Sequence, residues 1–160
     1  MSSTAPRGMT PIDEALSQLL TSTQLVVGFE SVSLLEANAR LLAEDIHATL
    51  DVPGFDNSAM DGYALNAAEL AAGRSTFSIS QRIAAGATGI KLETGTAARI
   101  FTGAPLPEGA DAVVMQENCR IDGSQLTVLE KVVAGENIRA QGDDIAAGSL
   151  LLNSGRRLGP

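Results

Sequence analysis

Between Pro53 and Ala64 the chain reads PGFDNSAMDGYA, and this stretch, more than any other, limits what the chain can become. Pro53 and Gly54 are turn formers, Asp56, Asn57 and Ser58 compete for backbone hydrogen bonds, and Asp61-Gly62 is another turn dipeptide. Neither a regular helix nor a regular strand passes easily through such a run. Phe55, Met60 and Tyr63 are spaced along it as apolar anchors, which predicts a loop pinned in one shape and able to aim Asp56 and Asp61. The plain alternative is a connecting turn with two solvated carboxylates.

The remainder of the composition points the same way. Sixteen glycines with four Phe, one Tyr and no Trp mean an aliphatic core and many tight turns, hence short strands rather than long helices. At 160 residues the chain can hold one sizeable core or two small domains. Its net charge is −8, and the eleven Lys and Arg are scattered among nineteen acids, which argues against a nucleic-acid or membrane-surface partner. No apolar run approaches the roughly 18 residues of a spanning helix, and Met1–Gly8 lacks the apolar core of a signal peptide; a cytoplasmic location is expected. With one Cys and one His, an internal disulfide and a His-rich metal cage are excluded. Cys119 reads as a buried inert thiol and His47 as a structural imidazole. Any chemistry must come from oxygen ligands or backbone.

Along the chain, Met1–Met9 reads as a frayed tail and Thr10-Pro11-Ile12-Asp13 as a helix start. Ile12, Ala15, Leu16, Leu19 and Leu20 follow helical spacing, so one face is expected to be buried, with an end near Thr21–Thr23. Leu25–Leu34 alternates as an extended segment, and Ser33-Leu34-Leu35-Glu36 opens a short helix through Ala37 and Ala39. Leu35, Ala39, Leu42 and Ile46 fit one helix face, while a strand through Leu42–Ala48 fits equally; Glu44 and Asp45 read as a solvated edge. Past the central loop, Ala64–Ala72 reads as a brief helix. From Ser75 the period becomes two, through Phe77, Ile79 and Ile83. Ala98–Thr102 and Ala112–Gln116 are further strands, and Cys119–Ile121 and Leu126–Leu129 flank Asp122-Gly123 as a hairpin. A β-rich middle between helix-containing ends predicts a mainly β (α+β) protein, with a β-rich domain of residues 49–144 inserted into a smaller one made of residues 1–48 and 145–160.

Three Gly-constrained loops after strands carry the polar groups: Asp56–Asp61, Thr102–Gly109 and Arg139–Asp144. None contains a Walker loop, a dinucleotide fingerprint, a Cys/His ligand set or a nucleophile elbow. A carboxylate pair beside an Arg suits Mg²⁺ on one side and an anionic ligand on the other. The segments PGFDNSAMDGYA, RIFTGAPLPEGADAVVMQE and GENIRAQGDDIAAGSLLLNSG, in this order, resemble the amino-terminal half of the MoeA-type molybdopterin molybdenumtransferases, relatives of the gephyrin E domain. The likeness runs from the Pro11 helix to Gly155.

That resemblance implies an elongated homodimer acting in molybdenum-cofactor biosynthesis. With Mg²⁺ it inserts molybdate into adenylylated molybdopterin and releases AMP, and contact with the molybdopterin adenylyltransferase and with molybdoenzymes is implied too. The family's cleft lies between domain II of one subunit and the pterin-binding domain III of the other. By motif match, Asp61, Thr102 and Asp144 are the catalytic positions of this half, Ser58 and Arg139 are cofactor-binding positions with Arg139 facing a phosphate or molybdate oxygen, and Asp61 and Asp144 bind metal directly or through water. Two departures stand out. The usual Gly-Glu-Asp is Gly142-Asp143-Asp144 here, which weakens any role for Asp143, and the usual Gly-Arg is Ala39-Arg40, which predicts no positive φ there. Because the chain ends at Pro160, short of the pterin-binding domain, it is expected to be inactive alone. A non-catalytic dimerisation or protein-interaction module is the alternative.

Overall fold

Residues 9–24 and 28–160 are described by the computed structural model; the alternation expected at Leu25–Val27 and most of the expected tail lie outside them. Contacts divide the chain into two units, one comprising residues up to Ala43 with Gly155–Pro160, the other Glu44–Ser154. The sequence boundaries fell after residues 48 and 144. Pairing of two short strands, β1 (Ile46–His47) with β10 (Leu150–Leu152), keeps both inside the larger unit.

In the smaller unit, α1 spans Ile12–Ser22, with Pro11 at the cap and Asp13 and Glu14 in the first turn. Its end is set by hydroxyls: Thr21 donates to Ser17 O, and Ser22 and Thr23 both donate to Leu19 O, after which Thr23 turns extended. No residue of α1 is buried, so the expected buried face is corrected: Ile12, Leu16, Leu19 and Leu20 are exposed. Periodicity specified the apolar face, but no described residue of this unit covers it. The second expected helix is one 3-10 turn, Leu34–Glu36, with Ser33 Oγ donating to Glu36 Oε2 at 2.9 Å.

Beyond that turn the helical alternative through Leu35, Ala39, Leu42 and Ile46 fails. Ala39 has φ +66°, in the left-handed region expected to be avoided there. That turn directs the Ala39 N–H to Leu158 O, and Leu42 and Arg156, then Arg40 and Leu158, bond in the same antiparallel run. Backbone pairing with the returning chain outweighs the local cost of an Ala in this conformation.

The larger unit is built on a six-stranded sheet. In chain order its elements are β2 (Asn57–Ser58), β3 (Gly62–Leu65), α2 (Ala67–Ala71), β4 (Thr76–Ile83), β5 (Thr96–Ile100), β6 (Ala112–Met115), β7 (Cys119–Asp122), β8 (Gln125–Val128) and β9 (Ile138–Arg139). The sheet order is β6-β3-β5-β4-β8-β7, antiparallel except for β4 beside β5. The β7–β8 hairpin forms where Asp122-Gly123 predicted it, with Asp122 opposite Gln125. α2 begins where the Asn66 side chain accepts the Ala68 N–H.

Both faces of the central strands are covered, which is why β3 is buried at every residue. Tyr63 and Leu65 join one cluster with Phe77, Ala97, Val114 and Leu126, while Ala64 joins the other with Ile83, Ile100 and Val113. Gly62 is required at its place: a Cβ there would lie 2.0 Å from Val114 O on the neighbouring strand.

Candidate active site

The central loop is a hub, although not through the expected anchors. Tyr63 is buried, but Phe55 and Met60 are half exposed. What pins the loop is backbone pairing on two sides. Toward the second loop, Ser58 N donates to Ala104 O, Gly103 N to Ser58 O, and Leu106 N to Asp56 O. Toward the third, β2 pairs with β9, and Ala59 N donates to Asn137 O. All three sequence-predicted loops therefore converge on one strip of chain.

Asp56, a carboxylate of the central loop, and Asp51, which the sequence did not single out, lock the third loop in place. Asp56 Oδ1 accepts the Gln141 N–H at 2.7 Å. Asp51 accepts the Ala147 N–H and the Gln141 amide at 2.7 and 2.6 Å. These bonds, the Ala147 one foremost, hold the Asp51 carboxyl below its ordinary pKa. Gly142, at φ +73°, carries the chain past Asp51, where a Cβ would stand 3.1 Å from Asp51 Oδ1.

Asp61 and Thr102, 41 positions apart, are brought together: Asp61 Oδ1 accepts both the Thr102 N–H and its hydroxyl, each at 2.9 Å. The amide bond first, then the hydroxyl and, least, the Arg99 charge hold the Asp61 carboxyl below its ordinary pKa. No other hydrogen bond engages this carboxylate among the described residues, and Asp61 is exposed. Arg99 was also missed. Its guanidinium donates to Gly62 O, Ile100 O and Gln116 Oε1, and Gln116 N donates to Asp61 O. It thus ties together the strand ends that carry Asp61 and Thr102.

Arg139 and Asp144 form a pair with each other at 2.5 Å, half exposed. Asp61 and Asp144 therefore answer to different partners. Ser58 is fully buried, and its hydroxyl donates to Met60 O at 2.6 Å, so its polar groups hold the loop. Among the described residues, Asp143 makes only a backbone bond to Ala140 O. Of the two residues expected to be inert, Cys119 is half-buried with its thiol pushed up to about 11, burial being the main cause, whereas His47 is exposed on β1.

For a metal the donor set is sparse. Among the described residues no three His, Cys, Asp or Glu side chains gather. Asp61 offers one carboxylate oxygen beside the Thr102 hydroxyl, which fits a single ligand to a cation such as Mg²⁺ rather than a protein cage. The site is open surface. A hollow of about 330 Å³ where the three loops meet is lined by Phe55, Asp56, Leu106, Glu108 and Gln141, not by Asp61, Thr102, Arg139 or Asp144.

Comparison with known proteins adds the family. A family model described as the MoeA N-terminal region (domain I and II) matches residues 10–160. The molybdopterin molybdenumtransferase of Synechococcus elongatus is 41% identical over 143 residues, 86% of this chain and 36% of that protein. The Haemophilus influenzae protein of the same name is 37% identical over 154 residues, 95% of this chain and 38% of its own length. The crystal structure of the molybdopterin biosynthesis MoeA protein from Pyrococcus horikoshii OT3 superposes with a TM-score of 0.83 at 36% identity, covering 95% of this chain and 41% of that one. The chain thus spans little more than a third of the length of the curated relatives it matches.

Proposed function

Because the chain belongs to the MoeA N-terminal region family, matched over residues 10–160, we propose that it is the domain I and II portion of a molybdopterin molybdenumtransferase. In this reading it supplies one wall of a cleft in which molybdate enters adenylylated molybdopterin, in the cytoplasm, as half of a homodimer. The molybdopterin adenylyltransferase delivers the substrate and molybdoenzymes receive the product. The domain organisation follows the family description, with the sheet-bearing unit as domain II.

The observation that carries this reading is the Asp61–Thr102 pair. Its ionised carboxylate is fixed by two donors from the second motif at the end of a buried sheet, and one oxygen is left for a partner. A group so oriented loses no freedom when it meets the substrate, which is what positioning by a rigid scaffold supplies. Asp61 would be the residue of this chain that holds Mg²⁺, whose chemistry there would be to polarise a phosphate. Thr102 keeps the Asp61 carboxylate from rotating, and Arg139 and Asp144 present a paired charge at the third loop.

The test is Asp61→Asn in a protein spanning the full length of the matched relatives. Asn keeps the shape and an acceptor for Thr102 while removing the charge. The insertion rate falls roughly a hundredfold, with the melting temperature close to wild type. A lowered melting temperature with an unchanged rate per folded molecule would make Asp61 a turn residue. The 160-residue chain alone, given adenylylated molybdopterin, molybdate and Mg²⁺, releases no AMP.

A further inference from the structure

Phe101, which immediately precedes Thr102, carries two guanidinium groups. Arg99 Cζ lies 4.4 Å and Arg82 Cζ 4.6 Å from the ring centroid. The two arginines are register partners on the parallel strands β4 and β5, so they leave the sheet side by side. Arg99 is built in, by its bonds to Gly62 O, Ile100 O and Gln116 Oε1 and by the Tyr63 ring at 5.3 Å. Arg82 is exposed, and among the described residues its guanidinium has no hydrogen-bond or ion-pair partner.

This arrangement is unexpected in a chain of net charge −8. The ion pairs among the described residues occupy Arg40, Arg74, Lys91 and Arg139, and neither Arg82 nor Arg99 is neutralised by a carboxylate. Asp61, which feels the Arg99 charge, has its Oδ1 spent on Thr102. An aromatic ring fixes a guanidinium through its face without consuming the N–H donors, and those donors form a fork that matches two oxygens of a phosphate.

We infer that Arg82 and Arg99 on Phe101 form an oxyanion-binding subsite that takes a phosphate monoester beside the Asp61–Thr102 pair. It rests on the reading of that pair as a cleft wall and adds where a phosphate monoester released in the reaction, such as AMP, is held. Arg99 is the fixed half of the subsite. Arg82 is the half that closes on the ligand, since its donors are all available.

The experiment uses the 160-residue chain, with NMR detection of the Arg82 side-chain N–H and the Phe101 ring. Inorganic phosphate and AMP are titrated separately at constant ionic strength, with chloride as the control. Both phosphates shift these signals saturably, and Arg82→Gln weakens binding about tenfold with an unchanged melting temperature, as loss of a charge-assisted contact requires. Arg82→Lys, which keeps the charge but not the fork, binds between the two and serves if the Gln variant does not fold. A non-saturable response, one equal to chloride, binding of AMP without phosphate, or undiminished binding by Arg82→Gln would each overturn the subsite. Failure here leaves the insertion test of Asp61→Asn unaffected, because the readout is binding by this chain and not turnover.

Discussion

Leu19 on α1 and Leu65 on β3 both sit in periodic apolar patterns, yet Leu19 is 66% exposed and Leu65 is fully buried. The difference lies in what each pattern finds to cover it. β3 runs through the middle of a sheet with an apolar cluster on either side, assembled from strands that follow within the next 65 residues. α1 belongs to a unit whose own described residues supply no such layer. An apolar period identifies the side of an element that seeks cover; it does not say where the cover comes from.

The comparison is broken most severely at glycine. In Gly62→Ala the new methyl meets Val114 O at 2.0 Å, so β3 and β6 must part, at a cost of roughly 4 kcal/mol or more. Gly28→Ala in the smaller unit has open space within 4 Å and should change little. Urea unfolding of both variants reads the contrast directly. Next, Phe77→Ala should cost about 3–5 kcal/mol and Leu19→Ala within about 0.5. Equal losses would mean that the α1 face is covered in solution.

A smaller effect has the opposite sign. Ala39→Gly removes the Cβ from a left-handed residue and should raise the stability of the smaller unit by up to about 1 kcal/mol. A decrease would mean that Ala39 does not hold that conformation.

The smallest effect is on pH dependence. Asp51 and Asp61 have native pKa values below the unfolded 3.8, so the unfolded chain binds more protons in acid. Their stabilisation is complete above that value and is lost as the pH falls through the native one. Asp51→Asn should therefore flatten the acid limb of a stability profile below about pH 4 and leave the neutral region parallel to wild type.

What was legible in the sequence follows the same division. Strands with alternating or small apolar residues, such as Phe77–Ile83 and Ala112–Met115, could be read because local period and final burial agree. The loops were legible as loops, and Asp61 with Thr102 as a pair only through motif resemblance. The latches of Asp51 and Asp56 were not, since each depends on backbone about 90 residues away. Arg99 was hidden for a related reason: two of its acceptors, Gly62 O and Gln116 Oε1, lie 37 and 17 positions away in the chain. Ala39 went the other way, because a residue that disfavours positive φ was held there by pairing with the chain's last residues.

The bond between Asp61 and Thr102 is the point on which the site depends, and it can be observed in this chain without substrate. The backbone amide of Thr102, followed by NMR through an acid titration, should move with an apparent pKa below 3.8, and that movement should vanish in Asp61→Asn. A Thr102 amide that ignores the titration, or that still titrates in Asp61→Asn, would mean that the two motifs do not meet and that Asp61 is not held in place for a partner.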